Sequence, residues 1–504
     1  MKICLIRPAI LVPRRNQTAM FTPPLGLAYV AGALRAAGHE VTAIDAVGAS
    51  MDTRHDWRND CHIFGLSPER TIERVPADVG LIGVQAGFSF EWPYTRELIQ
   101  GLRAQFPDAW LVGGGEHLTA MPEDSLVESG LDLGVLGEAE ETVVELASAL
   151  ERGDCDLATV GGIAWRDALG AVHTNPRRAR ARDIDSLPLP AWDLFPIEAY
   201  LDGGHGFGVN RGRSMPVMAS RGCPYQCTFC SSPLMWTTKW VARDPDLLLD
   251  ELALYQERYG AENFDFYDLT AIIKKQWIVR FCQRIQERGM AFTWQLPSGT
   301  RSEVIDAEVA GLLYQTGCRN LSYSPESGSI ATLRAIKKKI HPETMLDSIA
   351  SCVDIGLNIK TNIILGFPNE TYREVLESYR FIAKMGWRGA HDISVWGFSP
   401  YPGSELFNEL RAAGKLTVDD AFYDGLRSYA DASRTVSWSP AFSDRRLKTL
   451  RLIGAVIFYA AAWLRRPFRP FRMVWNVVRG THESRSEMAV ANLLRRRRIA
   501  AVEA

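Results

Sequence analysis

"VMASRGCPYQCTFCSSP", residues 217–233, gathers three of the chain's nine cysteines, Cys223, Cys227 and Cys230, into one short stretch. The other six, Cys4, Cys61, Cys155, Cys282, Cys318 and Cys352, stand singly, as buried thiols of a reducing compartment do. Thiolates spaced C-x3-C-x2-C reach one metal centre from a single loop, and three of them leave a further coordination position for another group. Zinc is one reading. Structural zinc sites pair their ligands, however, and this sequence offers neither a second cysteine pair nor H-x3-5-H. An iron–sulfur cluster with one iron lacking a protein ligand suits the spacing better, because that iron can bind and activate a small molecule.

The surroundings of the loop set the fold. Strand candidates recur at 217–221, 264–268, 292–296, 320–325, 360–366 and 392–398, with room for a crossover helix in each interval. Parallel strands need such crossovers, and six of them predict a partial (β/α)6 barrel over 216–425 with the cysteines at its carboxyl end, where βα-loops build active sites. Upstream, residues 1–150 alternate apolar strands such as "KICLIR", "VGLIGVQA" and "AWLVGGGE" with helical patterns. This α/β pattern predicts a doubly wound, Rossmann-like domain whose ligand lies beyond the strands' carboxyl ends. Residues 151–215 form a connector, with "GIAWRDALGAVHTN" patterned as a hairpin and Arg177, Arg178, Arg180 and Arg182 expected in a solvated loop.

A helical, basic region is expected from 426 to 504. From Arg445 onward there are fourteen Lys or Arg against three Glu, in a chain whose net charge is only −2. The apolar run "LIGAVIFYAAAWL" at 452–464 falls short of the ~20 residues of a transmembrane helix. Two readings stay open for it: an interfacial segment on an anionic membrane, or a helix packed on the barrel with solvated arginines at its ends. "LLRRRRIA" at 493–500 is expected as a frayed, solvated end. The opening "MKICLIRPAI" carries too short an apolar core for a secretory signal, so a cytoplasmic protein, with membrane association open, is expected.

"RGCPYQCTFC" resembles the cluster loop of the radical S-adenosylmethionine (SAM) enzymes, C-x3-C-x-aromatic-C. The resemblance implies that Cys223, Cys227 and Cys230 hold a 4Fe-4S cluster whose open iron chelates SAM, with Phe229 near the adenine. One-electron reduction, by a flavodoxin- or ferredoxin-type partner, then releases a 5′-deoxyadenosyl radical. Further SAM contacts are expected at Asp268 in "FDFYDL", Ser324 and Glu326 in "YSPESGS", and Gly366 in "IILGFPNET". Two departures stand out: Leu269 follows Asp268 where relatives often show a second acid, and Asn369 replaces an acid sometimes seen there.

"FTPPLGLAYVAGALRAAGHEVTAIDA", "VGGGEH" and "GVLGEAEETVVEL" resemble the cobalamin-binding domain that precedes the barrel in one branch of this family, which includes the anaerobic magnesium-protoporphyrin ester cyclase and hopanoid-modifying enzymes. The resemblance implies cobalamin contacts at Asp45, Gly113, Gly114, Gly115 and Glu116. The D-x-H-x-x-G motif that ligates cobalt from below is not met, since Val47 stands at its His position and Ser50 at its Gly position.

The implied activity is methylation of an unactivated carbon of a small, hydrophobic substrate (a lipid, isoprenoid or natural product) through the deoxyadenosyl radical and methylcobalamin. Cyclisation, oxidation or ring rearrangement with the same cofactors is the alternative, and a non-catalytic cobalamin sensor a second one. Nucleic acid is not expected as a partner: no second cysteine triad lies in the amino-terminal third, and the basic residues gather in the tail.

Overall fold

The computed structural model describes residues 1–14, 21–58, 61–153, 155–429 and 434–503, with side chains to Leu494 except that of residue 429. The amino-terminal sheet is built on Lys2–Arg7, whose Ile3, Cys4, Leu5 and Ile6 are all buried, as a central parallel strand covered on both faces requires. Glu40–Asp45 flanks it on one side; Leu81–Gln85, Trp110–Gly114 and Leu133–Val135 follow in order on the other. The parallel strands thus run 2-1-3-4-5, a doubly wound order whose direction reverses between the first and third strands. The connector's hairpin, Ile163–Arg166 with Val172–Thr174, forms and continues this same sheet by pairing antiparallel with Leu133–Val135. A small second sheet of Ile10–Pro13, Cys61–Phe64 and Arg54–Trp57 packs nearby; its strands are only four residues each, too short for a periodic signal in the sequence.

Six parallel strands make the second unit: Ser214–Val217, Asn263–Phe266, Thr293–Thr300, Cys318–Glu326, Asn358–Leu365 and Asp392–Gly397. The first lies earlier than the 217–221 read from the sequence. Its chain leaves the sheet because the Asp268 carboxylate accepts the Ala219 N–H (3.0 Å) and the Ser220 hydroxyl (2.6 Å). Ser220–Arg221 instead pairs antiparallel with Val241–Ala242, and the cysteines follow directly.

The carboxyl-terminal helix Asp444–Arg465 lies on helix Tyr372–Arg388 and strand Asp392–Gly397, burying Leu447, Leu450, Gly454, Phe458 and Ala462. Contact is close enough that a Cβ on Gly386 would meet the Phe458 carbonyl at 2.6 Å. One face of the 452–464 run therefore packs on the barrel, while Leu452, Ile453, Val456 and Leu464 are exposed. By length and composition this 22-residue helix is apolar enough to cross a membrane, though 33% of its most apolar stretch is buried. Helices Arg469–Arg479 and Arg485–Glu503 complete the chain. The arginines of 495–498 sit in the last helix, and their side chains lie outside the described residues.

Candidate active site

The cysteine loop is fixed at its entrance. Gly222 has φ +85°, and a Cβ there would lie 2.2 Å from the Lys239 carbonyl, so this turn needs glycine. Just before it, Arg221 is buried and pairs with Glu140 (2.6 Å), the first residue of helix Glu140–Arg152, and with Glu138 (3.3 Å) in the loop between that helix and strand Leu133–Val135. Arg180 pairs with the same Glu138 (3.0 Å) and donates to the Trp236 carbonyl (2.8 Å) beyond the loop. Of the connector arginines expected in a solvated loop, Arg177 and Arg182 are exposed, but Arg177 donates to the Leu234 carbonyl and Arg178 to Thr142, so Arg177, Arg178 and Arg180 knit connector, loop and sheet together.

Cys223, Cys227 and Cys230 are half-buried free thiols within reach of one another's charge. Burial pushes Cys230 up to about 12, although its sulfur accepts the Ser232 N–H at 3.4 Å. Cys227 is also raised by burial, with Lys338 and Arg301 pulling it back down. Among the described residues no three His, Cys, Asp or Glu side chains converge as ligands of a single ion. A cubane cluster takes each thiolate on a separate iron. Thiols this high must lose protons to ligate, so loading couples to pH. Phe229, in the loop, packs on Phe367 (ring centroids 5.7 Å apart), which packs on Phe398 (5.3 Å).

The structure brings the other expected SAM residues to the barrel's carboxyl rim, each with partners inside the protein. Asp268 is buried, held up to about 6 by that burial, and committed to Ala219 and Ser220. Glu326 ends its strand in a register shift with φ +67°, a conformation non-glycine residues rarely adopt and one that gathers at functional sites. Its carboxylate, raised by burial, pairs with Lys338 at 3.0 Å. Ser324 and Ser322 both accept from the Asn362 amide (3.1 and 3.0 Å), whose oxygen faces the Trp396 N–H at 3.4 Å, making a polar network across three strands. Gly366 was expected to clear space for a flat ligand. On its Cβ side Leu447 of the long carboxyl-terminal helix packs in: a Cβ on Gly366, at φ +89°, would lie 2.8 Å from it.

In the amino-terminal sheet, the crevice at the switch point opens beyond Lys2–Arg7 and Leu81–Gln85. Asp45 ends the edge strand, one strand away. Its carboxylate is spent on Arg7 (3.5 Å), the Tyr200 hydroxyl (2.7 Å) and the N–H groups of Val47 and Gly48 (both 3.1 Å). The three glycines differ. A Cβ on Gly113 would strike Leu131 at 2.7 Å, and one on Gly115 the Ala86 carbonyl at 2.5 Å, so both serve packing. A Cβ on Gly114 would meet only Val135, at 4.0 Å. Opposite Gly114 in register stands Gln85, whose buried Oε1 has no hydrogen-bond partner. That open glycine beside an orphaned acceptor is a cradle a ligand would complete, and it suits the amide-rich edge of a corrin or its nucleotide tail.

Glu116 joins the two halves. Half-buried, with its carboxyl raised by desolvation, it accepts a hydrogen bond from Ser231, the residue after Cys230. Near by, a Cβ on Gly403 would lie 2.7 Å from Leu234 and 3.1 Å from Ala120, so barrel end, cysteine loop and sheet loop meet at one point.

Comparison with known families follows the same division. The Radical SAM superfamily model matches residues 217–382 and the B12 binding domain model residues 14–147. Uncharacterized methyltransferase PH0819 of Pyrococcus horikoshii is 30% identical over 422 residues, 83% of this chain and 84% of its own. The chain is a B12-binding radical SAM enzyme. The anaerobic magnesium-protoporphyrin IX monomethyl ester cyclase of Rubrivivax gelatinosus is 27% identical to this enzyme over 77% of the chain and 66% of its own. In fold the enzyme is like the radical SAM methyltransferase TsrM from Kitasatospora setae, whose structure has cobalamin and a 4Fe-4S cluster bound (TM-score 0.65, 18% identity, 91% of this chain and 90% of that one).

The enzyme's cofactors are accordingly a 4Fe-4S cluster, SAM and cobalamin. Gln85 and Lys338 were missed in the sequence. Gln85 leaves one sign, a lone amide closing the apolar run "VGLIGVQA". Lys338 leaves none, because it reaches Glu326 from a separate turn.

Proposed function

We propose that this enzyme transfers a methyl group to an unactivated carbon of a small, hydrophobic molecule. The observation that carries the reading is the contact of Glu116 with Ser231, which sets the crevice of the B12 domain against the cysteine loop so that both cofactors serve one cleft. Cluster and SAM supply hydrogen abstraction, and cobalamin supplies methyl delivery to a carbon that offers neither anion nor nucleophile. Cys223, Cys227 and Cys230 would hold the cluster, with a flavodoxin- or ferredoxin-type protein as electron donor. Gly114 and Gln85 would receive part of the cobalamin. Ser322, Ser324 and Asn362, with Trp396, offer hydrogen bonds to the polar part of SAM or substrate, which leaves the apolar part to lie towards Phe229, Phe367 and Phe398.

The likeness to a methyltransferase over most of both chains supports methyl transfer. The likeness to a ring-forming cyclase supports a second reading, radical cyclisation with the same cofactors. One assay separates them. Anaerobically reconstituted enzyme is given cobalamin, reductant and lipid extract, and S-adenosylhomocysteine and 5′-deoxyadenosine are quantified together. Both products, extract-dependent, support methylation; deoxyadenosine alone supports cyclisation; neither, with a full cluster, overturns both.

A further inference from the structure

Helix Arg469–Arg479 is mounted inside out. A surface helix of a globular protein turns its apolar stripe to the core and its polar face to water. Here Phe471, Val474, Trp475 and Val478, spaced to share one face, are 73, 66, 55 and 75% exposed, and Phe468 just before them is 82% exposed. The opposite, polar face is the one that docks. Arg469 donates to the carbonyls of Ala390 (2.8 Å) and Gly389 (3.1 Å), Asn476 is buried and donates to Glu487 (3.2 Å), and Arg472 holds Glu483 (2.9 Å). The protein thus spends its polar contacts on presenting five large apolar side chains outward.

The flanks say what covers them. Arg479 stands over the Trp475 ring at 4.2 Å, and Arg465 over the half-exposed Trp387 at 5.9 Å, so guanidinium groups edge the stripe next to aromatic rings. From Arg445 on, the tail holds fourteen basic residues against three acidic ones. A partner matching this face must accept an apolar ridge and carry negative charge around it, and the surface of an anionic bilayer does both. The preceding helix adds Trp463 and Leu464, 41 and 77% exposed, at the end nearest this ridge.

We propose that helix Arg469–Arg479, with Phe468, docks this enzyme peripherally on an anionic lipid bilayer, lying in the interface with Phe471, Val474, Trp475 and Val478 inserted. This inference deepens the reading of a hydrophobic substrate, but its test needs no turnover. Full-length protein is floated with vesicles of phosphatidylglycerol and phosphatidylcholine, with vesicles of phosphatidylcholine alone, and at raised salt. Binding to the anionic vesicles, weakened by salt and by removing the anionic lipid, is expected. The double variant Phe471→Ser/Trp475→Ser, altered only at exposed positions, should partition at least about tenfold more weakly while its melting curve stays put. Wild type that stays in solution with anionic vesicles, or a double variant that floats equally well, overturns the proposal. So does a stripe that pairs two copies: a dimer by light scattering that the double variant turns into monomer, with no vesicle binding.

Discussion

The cradle at the end of the fourth sheet strand separates two kinds of glycine, and a pair of substitutions tests the separation. Gly115 has φ +124° and ψ −173°, a region that is essentially glycine's alone. An alanine there carries about 1–3 kcal/mol of backbone strain. Its Cβ would also lie 2.5 Å from the Ala86 carbonyl oxygen and 2.9 Å from the carbonyl carbon, backbone atoms that cannot swing away. Overpacking of this kind adds about 1–3 kcal/mol, so Gly115→Ala should destabilise the amino-terminal domain by about 2–6 kcal/mol. Gly114→Ala meets only Val135, at 4.0 Å. Its stability should stay within about 0.5 kcal/mol of wild type, while the new methyl group occupies the cradle beside Gln85 and weakens cobalamin binding by about 1–3 kcal/mol. Urea unfolding followed by circular dichroism reads the first effect, and cobalamin retained after anaerobic reconstitution reads the second. An unshifted urea midpoint for Gly115→Ala would refute the strain argument. Equal cobalamin loading by Gly114→Ala would refute the assignment of the cradle.

Replacing Cys223, Cys227 or Cys230 singly by Ala should remove most iron and sulfide after reconstitution, yet cost only about 1 kcal/mol of stability because the thiols are half-buried; full iron retention in any of the three would exclude that residue as a ligand. Asp268 gives a pH signature: burial raises it to about 6, above its unfolded value, so its contribution to stability is greatest below about pH 4 and is lost as pH rises through 6. Against Asp268→Asn, which has no such slope, wild type should lose up to about 3 kcal/mol between pH 4 and 7, and parallel stability curves for the two would contradict this. Gly366→Ala should destabilise the barrel by about 2–4 kcal/mol through its positive φ and its clash with Leu447. Adding Leu447→Ala should recover the clash but not the strain, and strict additivity in that double-mutant cycle would place Leu447 elsewhere.

Much of this architecture was legible in the sequence because its strands are parallel and buried on both faces. Runs such as Ile3–Ile6 must then be continuously apolar, and the intervals between them must hold helices. The cysteine loop was legible because its ligands come from one uninterrupted stretch, so spacing alone carries the chemistry. What escaped lies in contacts made across distance. Whether Arg180 is a solvated loop residue or a clamp between Glu138 and Trp236 depends on two other elements, and nothing in "PRRARARD" encodes either. Gly366 adds a role that its strand-end position does not announce: the space where a Cβ would stand is taken by Leu447, about eighty positions on.

The same distinction bears on how the two halves come to share a cleft. A doubly wound sheet and a partial barrel each place their ligand beyond their strands' carboxyl ends, so joint chemistry requires those two ends to face each other. Here the requirement is met by charged groups drawn from both sides and buried together: Arg221, beside the cysteine loop, pairs with Glu138 and Glu140 after the fifth sheet strand, and Arg180 closes on Glu138 from the connector. Unpaired, each of these ions would carry a desolvation cost of several kcal/mol, so the closed arrangement is favoured over any partial separation that strands one of them. The orphaned Oε1 of Gln85 ends the third sheet strand, and the raised thiols of Cys227 and Cys230 lie in the loop that follows Arg221. The amide oxygen lacks a hydrogen-bond partner that a ligand would supply, and cluster iron would take the thiols in their thiolate form. Protein polarity is therefore spent on holding the joint, while the Gln85 amide oxygen and the cysteine thiols stay available on either side of it.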